Sequence, residues 1–95
     1  MPLGEKTIDD FLYKHNIPHK KEVLYPEGQF RADFSVDGVL IEYFGLTGDQ
    51  KYDLKTKEKQ KLCRKNGISL ISIYPEDLVS VKKLESKLKK VLNKA

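Results

Sequence analysis

The chain has 95 residues, 39% of them hydrophobic and 34% charged, which suits one domain over residues 1–95 with a modest core and a heavily charged surface. A single cysteine, Cys63, excludes an intrachain disulfide framework and a cysteine-based zinc cluster, so a reducing, cytoplasmic setting is expected. No apolar run is long enough for a secretion signal or a membrane span. Taken in chain order, residues 4 to 16 predict a helix. Ile8, Phe11, Leu12 and His15 recur at helical spacing, Thr7 with Asp10 resembles a capping box, and Asn16-Ile17-Pro18 ends the run. Residues 21 to 25 predict a strand closed by Pro26-Glu27-Gly28. Residues 30 to 36 and 39 to 44 predict two more strands joined at Asp37-Gly38, a dipeptide suited to a type I′ hairpin because both positions need positive φ. Gly45, Gly48 and Asp49 form a loop. A helix over 51 to 66 stops at Asn66-Gly67, a strand follows over 68 to 74, and a last helix over 80 to 93 aligns Val81, Leu84, Leu88 and Val91. The order α-β-β-β-α-β-α is that of an α/β layer fold around one mixed sheet.

The net charge of +4 is unevenly distributed: residues 51–65 and 80–95 each carry +5, which leaves −6 on the rest of the chain. Basic helices of this kind fit an anionic partner, although lysine-rich helices are also ordinary solvated surface. The acidic part is more informative. A two-residue hairpin loop pairs Val36 with Val39 and sets Asp33 directly opposite Glu42. Two carboxylates about 5 Å apart repel by roughly 3 kcal/mol at an effective dielectric near 20. Strand parity puts Ala32, Phe34, Val36, Val39, Ile41 and Tyr43 on one apolar face, and Arg31, Asp33, Ser35, Leu40, Glu42 and Phe44 on the other. A shared hard cation would convert the repulsion into coordination, whereas neutralisation by Arg31 or exposure to water would merely tolerate it.

On a helical wheel Tyr52, Lys59, Cys63 and Asn66 share the inward face of the second helix, so Lys59 is the lysine aimed at the carboxylates. Lys55, farther round the wheel, is the reserve candidate. Two acids, a cation site and a lysine describe metal-assisted phosphodiester hydrolysis, with the basic helices gripping phosphates. Cys63 fits a small core residue. His15 fits a half-buried helix position, and Pro18 separates it from His19, which argues against a metal pair. Glu22 either points toward the site or faces solvent.

Gly4-Glu5-Lys6-Thr7-Ile8, Arg31-Ala32-Asp33-Phe34, Ile41-Glu42-Tyr43-Phe44-Gly45, Tyr52 through Lys59, and Gly67 through Ile71 together resemble the PD-(D/E)XK, restriction-endonuclease-like nuclease superfamily. The likeness is nearest to small nuclease domains that occur alone or beside helicases and other DNA-processing proteins. It implies a magnesium- or manganese-dependent DNA endonuclease with Asp33, Glu42 and the Tyr43 carbonyl as metal ligands and Glu5 assisting through water. Lys59 would replace the lysine that usually follows two residues after the glutamate, a position held here by Phe44, and Ala32 stands where the motif has proline. Lys51, Lys55, Tyr52 and Arg31 are the expected DNA-contacting residues. A homodimer would let such a small domain address both strands. The alternative is a catalytically silent nucleic-acid-binding module with the same fold.

Overall fold

The computed structural model describes residues 3–45 and 49–92. Helix α1 (Leu3–Lys14) leads into strands β1 (Lys20–Leu24), β2 (Arg31–Val36) and β3 (Val39–Tyr43). Helix α2 (Gln50–Lys65), strand β4 (Leu70–Ile73) and the short helices α3 (Val81–Lys87) and α4 (Lys89–Leu92) follow among the described residues. The four strands form one mixed sheet in the order β1-β2-β3-β4, antiparallel except for the β3–β4 pair, which is parallel. Among the described residues no helix is long and apolar enough to cross a membrane.

Local chemistry explains the element ends. Asp37 and Gly38 both take positive φ, 51° and 85°, as the two-residue hairpin requires, and Val36 pairs with Val39. Asp49 caps α2 by accepting the Tyr52 N–H. At the other end Gly67, at φ 67°, lets its own N–H reach the Arg64 carbonyl and the Ile68 N–H reach the Cys63 carbonyl, so the last carbonyls of α2 are satisfied. The parallel β3–β4 pair needs a crossover, and α2 provides it.

Two cores fill the two faces of the sheet. Ile8, Phe11 and Leu12 of α1 pack with Phe34, Val36, Val39, Ile41 and Ile73 of the sheet and with Leu84, Leu88 and Val91. Beneath α2 a smaller cluster joins Tyr25, Ala32, Leu40 and Cys63, with Val23, Phe30, Ile68 and Leu70 packed against it.

Several expectations are corrected. Ala32 lies under α2 instead of beside Phe34, next to a local irregularity at Glu22 on the neighbouring strand. The β1–β2 pairs Lys21↔Phe34 and Val23↔Ala32 flank an unpaired Glu22 and Asp33, and Glu22 takes φ 51°. Thr7 is inside α1, where its hydroxyl donates to the Leu3 carbonyl, so it makes no capping box, and Asp10 pairs with Lys6. His15 is exposed, its ring tilted against that of Phe11 at a centroid distance of 4.3 Å. The single last helix is divided at Leu88, whose N–H is shared between the Leu84 and Ser86 carbonyls. Val81 is 65% exposed and not part of the core stripe. Asn66 is exposed and serves as the C-cap of α2. Gly48 of the expected loop and Asn93 of the expected helix lie outside the described residues.

Candidate functional site

The site lies where β2 and β3 part. Their register runs Val36↔Val39, Ser35↔Leu40 and Phe34↔Ile41, and Asp33 and Glu42 come next on each strand. Instead of meeting a main-chain carbonyl, the Tyr43 N–H donates to Asp33 Oδ2 at 2.8 Å. The carboxylate thus takes the place of a ladder acceptor, which is why pairing stops there. Tyr43 also fixes α1: a Cβ on the buried Gly4 would collide with the Tyr43 ring, so only glycine lets the helix start lie against β3. That close approach brings Glu5, in the first turn of α1, near enough to Asp33 for the Asp33 carboxylate to act on its protonation.

A carboxylate beside Glu5 disfavours the ionised form of Glu5. Burial, followed by the hydrogen bond to Asp33 and its charge, pushes the Glu5 carboxyl up to about 7. Glu22 is exposed, yet near enough for its charge to add a small push in the same direction.

Glu42 is turned the other way, toward α2, and is 5% exposed. Its Oε1 accepts from Lys59 Nζ at 2.9 Å, and its Oε2 accepts a short hydrogen bond from the Tyr25 hydroxyl. Burial pushes the Glu42 carboxyl upward; the Lys59 and Tyr25 donors oppose that shift, and the Asp33 charge adds to it. Burial also raises the Tyr25 hydroxyl and the Cys63 thiol, each reinforced by the Glu42 charge. The Lys59 ammonium is seated among three aromatic rings, 5.5 Å from the centroid of Tyr25, 5.6 Å from Phe30 and 6.0 Å from Phe44.

Asp33 and Glu42 are therefore neighbours without sharing a donor: each carboxylate has its own partners, where the hairpin arithmetic had them facing each other. Lys59 takes the inward place that the helical wheel assigned to it, and Lys55 is exposed. Tyr52 is half-buried, edge-on to Phe44 and within hydrogen-bonding reach of the Gly45 main chain. Lys51 and Arg31 are exposed, and among the described residues neither pairs with a carboxylate of the site. Tyr25 and Phe30 were missed by sequence reasoning. The signal available was the β1–β2 pairing, which carries the residue after Leu24 toward the mouth where Glu42 sits.

Among the described residues no three His, Cys, Asp or Glu side chains stand together as a ready metal cage. The donor set nonetheless fits magnesium, which is held by one or two carboxylates while keeping several waters, in preference to all-protein cages. Asp33 and Glu42 supply hard oxygens, and Glu5 stands close enough to Asp33 to feel its charge.

Two of the C-terminal lysines are committed to the fold. Lys87 Nζ donates to the Ser72 carbonyl at 3.0 Å, and Lys90 Nζ donates to the Ser69 hydroxyl, so both cover the free edge of β4. On α2, Lys51, Lys55, Lys57 and Lys61 are all exposed, as are Lys82, Lys83 and Lys89 near the C-terminus, so both basic segments keep lysines that face solvent.

No family model, no curated protein and no solved structure matches this chain.

Proposed function

We propose that the chain is a magnesium- or manganese-dependent deoxyribonuclease domain of the restriction-endonuclease-like, PD-(D/E)XK type. The observation that carries the reading is the Lys59–Glu42 ion pair of 2.9 Å, on a strand whose neighbour places Asp33 at the same splayed mouth. A buried acid held by a lysine from the following helix is the arrangement expected if that lysine has moved from its usual place on the strand.

In this reading Asp33 and Glu42 would hold the ion, which would supply Lewis-acid polarisation of the phosphate and a more acidic water. Lys59 orients that water or stabilises charge on the phosphate oxygens, while Lys51 and Lys55 hold the DNA backbone. Glu5 assists from α1, where it can take up a proton at about neutral pH. The sheet order and the two helical layers support the fold assignment: α1 precedes three antiparallel strands, and α2 crosses to a parallel fourth.

A catalytically silent nucleic-acid-binding module is the second reading, favoured by the engagement of both Glu42 oxygens with protein donors. One experiment separates the two. The wild-type chain and Asp33→Ala are incubated with duplex, flap, junction and single-stranded DNA, with and without magnesium or manganese. The nuclease reading expects ion-dependent cleavage that falls by about 1,000-fold or more in a folded Asp33→Ala. Salt-sensitive DNA binding with no cleavage under any ion would establish the silent module.

A further inference from the structure

We infer that Tyr25 is a positioning residue that holds Glu42 and Lys59 in one arrangement, by its hydroxyl and by its ring, an inference resting on the nuclease reading above. Tyr25 is 2% exposed and follows the last residue of β1, immediately before Pro26. A phenylalanine would fill the same apolar space beside Ala32, Leu40 and Cys63 without burying a hydroxyl. The hydroxyl is buried all the same, and its hydrogen-bond partner is Glu42 Oε2.

The geometry shows what that bond does. The terminal torsion of a glutamate is broad, so one contact does not fix the plane of its carboxylate. Lys59 on Oε1 and Tyr25 on Oε2 together do fix it. Two donors fill two of about four lone-pair sites, which leaves acceptor capacity for a third ligand in a set direction. Tyr25 is a neutral donor, so it orients Glu42 without cancelling the charge that would attract a cation.

The ring performs the second task. Lysine is a point charge on a flexible stem, and an ammonium near a scissile phosphate is useful only if its position is held. The Tyr25 face lies 5.5 Å from Lys59 Nζ, and Phe30 and Phe44 close two further sides. One side chain therefore touches both halves of the proposed machinery.

The test compares wild type, Tyr25→Phe and Tyr25→Leu in the full chain by three measurements: calorimetric titration with manganese alone, cleavage kinetics at saturating manganese, and thermal melting. Tyr25→Phe keeps the ring and the volume and loses only the hydroxyl. The expectation is a loss of about 10- to 100-fold in manganese affinity and in kcat, with the KM for DNA unchanged because the phosphate-gripping lysines are elsewhere. Tyr25→Leu should lose further kcat, since Lys59 then also lacks its ring. A folded Tyr25→Phe with wild-type manganese affinity and kcat overturns the inference and leaves the nuclease reading standing. Losses that track only the unfolded fraction overturn it as well, by reducing Tyr25 to a packing residue. A wild-type chain that neither binds manganese nor cleaves DNA removes both.

Discussion

The two faces of the sheet are filled with different materials. Under α1, α3 and α4 the core is aliphatic and aromatic throughout, with Ile8, Leu12, Ile41, Ile73, Leu88 and Val91 completely shielded from water. Under α2 the cluster is smaller and is continuous with a polar network, in which Tyr25 joins Ala32, Leu40 and Cys63 while also serving Glu42 and Lys59. Stability in so small a chain rests on the first face. The second holds charges in place at some cost in burial, which is the usual division between scaffold and site.

Substitutions on the two faces should therefore fail differently. Phe34→Ala, on the first face, removes a ring that is 1% exposed and should lower unfolding free energy by about 3 to 5 kcal/mol, read as a fall in the urea midpoint at constant slope. Lys59→Met, on the second, keeps the stem packing and deletes the charge. Tyr25 still donates to Glu42, so the loss should be smaller, about 2 kcal/mol near pH 8. It should also depend on pH. Burial raises the Glu42 carboxyl, and removing Lys59 raises it further, so at low pH both proteins hold Glu42 neutral and the difference between them shrinks. A Lys59→Met penalty that is equally large at acid and alkaline pH would show that the ammonium acts through the surrounding aromatic rings and not through the Glu42 charge.

The comparison also shows what the sequence could disclose. The Asp37-Gly38 dipeptide determines the hairpin register because two consecutive positive φ values admit one tight turn, and Asp33 and Glu42 follow by counting. Lys59 follows from helical periodicity, since the α2 face that buries Cys63 also brings in the lysine one turn earlier. Side-chain direction was less accessible. Counting placed the two acids opposite each other, but Asp33 bonds the Tyr43 N–H while Glu42 turns to α2, a choice made by which donors each strand edge leaves unpaired. Ala32 was assigned to the wrong face because alternation assumes an unbroken ladder, and the pairing lapses at Glu22 and Asp33. Tyr25 carried no local signal at all: its role depends on a partner 17 residues away, on a strand two places across the sheet.

Glu5 links the two faces, because it rides on a helix of the aliphatic core and touches an acid of the site. Its carboxyl is raised from 4.5 to about 7, so the folded chain holds this proton more tightly than the unfolded chain does. A group raised in this way contributes stability that is fully present below about 4.5 and is lost as pH rises through about 7. The loss should be modest, about 1 kcal/mol once screening by solvent is allowed for. Glu5→Gln keeps a hydrogen-bond donor toward Asp33 without a titrating proton, so this part of the slope should vanish in that variant, read from urea midpoints at several pH values. Magnesium should flatten the same slope in the wild type if a cation takes the place of the Glu5 proton. If magnesium leaves it unaltered, the cation does not lie beside Glu5.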